Sequence, residues 1–165
     1  MPAGNSVPTN TPEMNPGSSD LCLLAAALAT GAAGLVHLLI PLGGPAWYAF
    51  FGAPRHLVRR AEAHALYPTV SCVVIASGLF VCSAYAFSGA GLLPPLPLRY
   101  PILAAIALVF LLRGVGFVLL EWLWPGCLVR VSGSQGIDTF LLVSSLICLL
   151  ISSAYAWGLF PAWSR

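Results

Sequence analysis

The sequence predicts an all-α integral membrane protein, a bundle of four transmembrane helices. Three observations carry that expectation. Hydrophobic residues make up 59% of the 165-residue chain and charged residues 7%, against roughly 25% charged in an ordinary soluble domain. The apolar residues gather into four runs of about twenty, the number that crosses a hydrocarbon layer of about 30 Å at about 1.5 Å of rise per helical residue. Between the runs stand residues that stop helices: Pro41 with Gly43-Gly44-Pro45, Pro94-Pro95, and Pro125-Gly126. A soluble fold with so little charge could not cover its surface, and the chain has no length left for a soluble domain.

Residues 1–20 are rich in Pro, Asn, Ser and Gly and are expected to be disordered. They lack the basic n-region and cleavage site of a signal peptide. Asp20 is expected to cap the first helix. A single domain then covers residues 21–161, with spans at about 21–42, 66–87, 101–124 and 137–160 and an interfacial loop at 43–65. Span one is dense in small residues, and the pairs Ala27/Gly31 and Thr30/Gly34 let a neighbouring helix approach closely. The simplest partner is another helix of the same bundle. In the loop, Trp47, Tyr48, Phe50 and Phe51 precede Gly52-Ala53-Pro54, and Arg55, His56, Arg59 and Arg60 follow. Aromatic rings favour the headgroup level and arginines its polar side. The pattern predicts a short element lying on the membrane, then a helix that starts after Pro54 and runs into span two. Pro68 is expected to bend span two, and Pro101 suits the first turn of span three. Asp138 stands near the start of span four.

"SAYAF" (Ser83–Phe87) ends span two and "SAYAW" (Ser153–Trp157) ends span four. The echo fits two similar hairpins related by an axis along the membrane normal. Interfacial Tyr and Trp arriving independently at two helix ends explain it more simply, because the other spans do not repeat convincingly.

Arginine placement sets the expected orientation. Arg55, Arg59, Arg60 and Arg130 lie on one side, Arg99 and Arg165 on the other, where the N-terminal tail carries only Glu13. The positive-inside rule puts the first and third loops in the cytoplasm and both termini outside. All seven basic residues are Arg, and a net charge of +2 is too small to suggest nucleic acid as a partner.

The stretches "GGPAWYAFFGAP", "YAFSGAG", "PLPLR", "LLRG" and "SSLICL", taken in order, resemble a family of uncharacterised small four-helix inner-membrane proteins of bacteria. The resemblance covers the chain from about His37 to the end of span four. It implies four spans and a bacterial inner membrane, and it supplies no catalytic or binding residue.

Phosphate-binding glycine loops, nucleophile elbows and zinc-protease motifs are absent from the sequence. The five cysteines, Cys22, Cys72, Cys82, Cys127 and Cys148, have no metal-ligand spacing and read as small hydrophobes. Cys22 and Cys82 fall near one membrane face, so a disulfide between them stays open. No metal or cofactor is expected.

Three groups of residues remain as candidates. His37, His56 and His64 lie on the cytoplasmic side; a haem or copper site would need two of them at matched depth, and only His37 is clearly within a span. Trp47, Tyr48, Arg55, Arg59 and Arg60 form a candidate lipid-binding interface; topology determination with interfacial anchoring explains all of them more simply, and Arg59 with Glu62 or Arg60 with His64 also stand at helical spacing. Arg113, Glu121 and His37 form a candidate intramembrane polar site. An Arg in the bilayer costs about 2.5–3.5 kcal/mol on insertion scales, so it faces protein or water. Arg113 and Glu121 are about 12 Å apart along the axis and do not pair directly. Arg113 is therefore expected to lean outward into the bundle, toward the serines of span four (Ser144, Ser145, Ser152 and Ser153), with Glu121 reaching water or His37. The leading functional reading is a non-enzymatic assembly, accessory or lipid-interacting membrane protein, with lipids as partners and a second copy or another membrane protein as further ones. The alternative is a small transporter or channel using Arg113 and Glu121; a haem-binding or redox protein comes third.

Overall fold

A computed structural model describes residues 17–126 and 139–163, with side chains as far as Phe160. Most of the N-terminal tail with Glu13, the third loop with Cys127, Arg130 and Asp138, and the terminal Arg165 lie outside the described residues. In chain order the structure contains α1 (Ser18–Leu39), a 3-10 turn (Ile40–Gly43), α2 (Gly44–Phe50), α3 (Arg55–Glu62), α4 (Leu66–Gly89), α5 (Arg99–Leu123) and α6 (Thr139–Trp163). Four of these, α1, α4, α5 and α6, are long and apolar enough to cross a membrane. The protein is all-α, as its sequence predicts.

Several helix ends differ from expectation, each for a local reason. Asp20 is not the cap of α1. The helix starts at Ser18, and the Asp20 carboxylate reaches back to accept the Gly17 N–H at 3.2 Å, where it also complements the positive end of the helix dipole. Pro41 tightens the end of α1 into the 3-10 turn, after which α2 begins at Gly44. Pro68 does not bend span two. It is the third residue of α4, where an N–H has no intrahelical acceptor to lose. The helix after Pro54 does not run into span two either. His64 takes a left-handed conformation (φ 54°), and the Ala65 N–H returns to the Arg60 carbonyl at 2.9 Å, the closure that ends helices with an αL residue. So α3 is a separate helix, set off from α4 by a break at residues 63–65.

In the bundle α1 packs on α4 and α5 on α6, and α1–α6 and α4–α5 contacts close the ring. The two hairpins are built alike. Buried positions Leu23, Ala26, Ala27, Thr30 and Gly34 of α1 recur in the same spacing as Leu103, Ile106, Ala107, Phe110 and Gly114 of α5. In the first hairpin Ser83 donates to the Ala27 carbonyl at 2.8 Å; in the second Ser152 donates to the Ala107 carbonyl at 2.7 Å. Ala76, Ser83 and Ala86 of α4 correspond in the same way to Ser145, Ser152 and Tyr155 of α6. The SAYAF/SAYAW echo is one residue out of step with this equivalence, for it aligns Ser83 with Ser153.

The two halves differ where they meet. Tyr155 is 0% exposed and stacks on Phe110 with ring centroids 6.1 Å apart. Its position in the other half is held by Ala86, and that of Phe110 by Thr30. Large residues on one side thus face small ones on the other, the interdigitation that close packing requires. The Tyr155 hydroxyl lies 3.3 Å from Thr30 Oγ1 and donates to the Cys82 carbonyl at 3.1 Å, tying α6 to α1 and α4. The small-residue face of α1 is spent inside the bundle: a Cβ at Gly31 would meet Ser83 Oγ at 3.2 Å, and one at Gly34 would meet the Phe80 ring at 3.1 Å.

Candidate functional site

Residues 43–65, read from sequence as an interfacial loop, pack at one end of the bundle together with the 3-10 turn. Ile40, Tyr48 and Cys72 form a small core with Val36, Phe51, Ala53, Val58 and Ala61 packed around it. Tyr48, grouped from sequence with the interfacial aromatics, is buried at 4% exposure, whereas Trp47 and Phe50 remain exposed. Phe51 meets Phe140 edge-on at 6.3 Å, so the start of α6 joins this end.

α3 stands on that small core. Leu57, Val58 and Ala61 turn inward, and Arg55, His56, Arg59, Arg60 and Glu62 are exposed. At about 100° per residue these five cover an arc of about 160°. The arginines are not consumed by neighbours. Arg59 and Glu62 form no ion pair, and among the described residues Arg55 has no acidic partner. The Arg60 guanidinium lies over the exposed Tyr67 ring at 5.0 Å, a contact that sequence spacing alone did not reveal. The first turn of α3 contains no acidic residue and begins with Arg55, whose charge opposes the positive end of the helix dipole. This arrangement costs helix stability unless an anion approaches. Trp122 and Trp124, at the end of α5, are also exposed.

The intramembrane candidates do not assemble as expected. His37 Nδ1 is bound to the Ala33 carbonyl one turn earlier, at 2.8 Å. Glu121 Oε1 accepts the Gly126 N–H at 2.8 Å and so caps the turn that ends α5. Arg113 is partly buried, and its guanidinium lies 4.4 Å from the centroid of Phe117, one turn further along the helix, so it does not lean outward as expected. None of the four serines of α6 takes its protons. Ser144 donates to Leu141, Ser152 to Ala107 and Ser153 to Leu150, while the Ser145 hydroxyl and Arg113 Nη1 are enclosed and have no partner.

Cys22 and Cys82 are free thiols, so no disulfide joins them. No group of three His, Cys, Asp or Glu side chains suited to a metal occurs among the described residues. No family model matches the chain, and comparisons with curated proteins and with solved structures give no match.

Proposed function

We propose that this is a non-enzymatic, multi-pass protein of a bacterial inner membrane that engages acidic lipid headgroups through α3. The observation that carries the reading is the cationic face of α3, three arginines against one Glu62, held on a packed base at the end of the bundle beside exposed Trp47, Phe50 and Tyr67. Each basic residue at an anionic surface contributes about 1 kcal/mol, and Arg60 is already oriented by its ring contact. Under this reading α3 faces the cytoplasm, and both termini lie on the opposite side, consistent with the distribution of arginines. The resemblance to small four-helix inner-membrane proteins of bacteria accords with it.

The test is the lipid that accompanies the purified protein. Wild type should carry more phosphatidylglycerol and cardiolipin than the bulk membrane does. The Arg55→Gln, Arg59→Gln, Arg60→Gln variant should carry the bulk composition, with its orientation checked in the same preparation because these arginines also set topology. Equal lipid recovery at unchanged orientation would refute the proposal.

A further inference from the structure

The α5–α6 interface carries a second feature, independent of α3. Arg113 lies near the middle of the 25-residue α5. Gly114, beside it, lets the two helices touch: a Cβ there would stand 2.8 Å from Leu149 Cγ and 3.1 Å from the Ser145 carbonyl oxygen. Ser145 is thus opposite Arg113's own turn, and it is 4% exposed. Phe117 covers one face of the Arg113 guanidinium.

Both enclosed polar atoms lack partners, and both are able to donate to one acceptor. Arginine has only donors to offer, and a serine hydroxyl donates as readily as it accepts. An enclosed charge without a counter-charge is costly in a low dielectric, and Glu121 is committed at its Oε1 to the turn at Gly126. What these atoms lack is an acceptor with negative charge. Phe117 and the Gly114–Leu149 contact bring no second cation, so a single charge suits the place and a dianion does not.

We propose that Arg113 and Ser145 bind a small monoanion, of the size of chloride or a carboxylate, within the membrane between α5 and α6. The guanidinium provides charge and the hydroxyl a second donor, and Phe117 holds the guanidinium in place.

The experiment is thermal unfolding of the full chain in a non-ionic detergent, with chloride or formate replacing gluconate at constant ionic strength. Wild type should show a saturable rise in midpoint. Arg113→Gln should abolish it, and Ser145→Ala should require at least about tenfold more anion, the effect of losing one hydrogen bond to a charged acceptor. The triple α3 variant should keep the wild-type response, which separates this site from the lipid proposal. Four results would overturn the site: no anion response in wild type, an unchanged response in Arg113→Gln, its loss in the α3 variant, or an Arg113-dependent rise with added phosphatidylglycerol and none with the free ions. Ser145→Ala removes only a hydroxyl, so the test survives if Arg113→Gln fails to fold.

Discussion

Replacing Tyr155 by Phe tests the joint between the two hairpins. The ring keeps its place against Phe110, so no cavity opens, and only the hydroxyl is lost. That hydroxyl makes two long contacts, 3.3 Å to Thr30 Oγ1 and 3.1 Å to the Cys82 carbonyl. Cross-helix hydrogen bonds in membranes average about 0.6 kcal/mol and reach about 1.7 at most. The Cys82 carbonyl has its own place in the α4 ladder, and Thr30 can turn its hydroxyl to a carbonyl of its own helix. The expected cost of Tyr155→Phe is therefore about 1 kcal/mol. Thr30→Val should cost less than that, and a double-mutant cycle should return a coupling of about 0.6 kcal/mol. Tyr155→Ala, which empties the volume beside Phe110, should cost about 3–5 kcal/mol. Equilibrium unfolding in mixed dodecyl sulfate micelles measures wild type and all four variants. Strictly additive effects of Tyr155→Phe and Thr30→Val, or a Tyr155→Phe cost as large as that of Tyr155→Ala, would refute the assignment of this residue as a polar tie around a packed ring.

Further outcomes follow from the same contacts. Gly114→Ala should lower the unfolding midpoint, costing about 1–3 kcal/mol, because the added methyl meets a backbone carbonyl that cannot step aside. Gly116→Ala, which faces open space, should be neutral or stabilising by up to about 1 kcal/mol. Ser83→Ala and Ser152→Ala, equivalent in the two hairpins, should each cost less than about 1 kcal/mol and add in the double variant; a large effect in one alone would contradict their equivalence. In anion-free buffer Arg113→Leu should melt higher than wild type, because it removes an unpaired enclosed charge; a lower midpoint would mean that Arg113 is satisfied within the protein. A cysteine at position 59 should react with an impermeant maleimide only after the inner membrane is opened, and labelling in intact spheroplasts would invert the orientation.

The four spans were legible because hydrophobic length and the prolines at their ends are local properties of the chain. The separate α3 was harder to read. Its break depends on His64 taking a conformation that glycine or asparagine usually supplies, and nothing in His-Ala-Leu marks it. The relation between the hairpins was hidden for a different reason. What repeats is the position of burial, whereas the residues there differ, Thr30 against Phe110 and Ala86 against Tyr155, because the halves must complement each other where they meet. The sequence echo therefore pointed to the right ends of the right helices one residue out of register. Among site residues, the basic face of α3 could be read from spacing. The burial of Tyr48, the Arg60–Tyr67 contact and the unpartnered Ser145 could not, since each depends on how separate segments are brought together.

Native mass spectrometry of the protein titrated with phosphatidylglycerol or phosphatidylcholine tests whether the proposed α3 face prefers an acidic headgroup. Wild type should retain phosphatidylglycerol in clear preference, with roughly a fivefold loss of affinity for each arginine replaced by Gln at positions 55, 59 and 60. Equal retention of the two lipids by wild type, or an undiminished preference in the triple variant, would contradict the account.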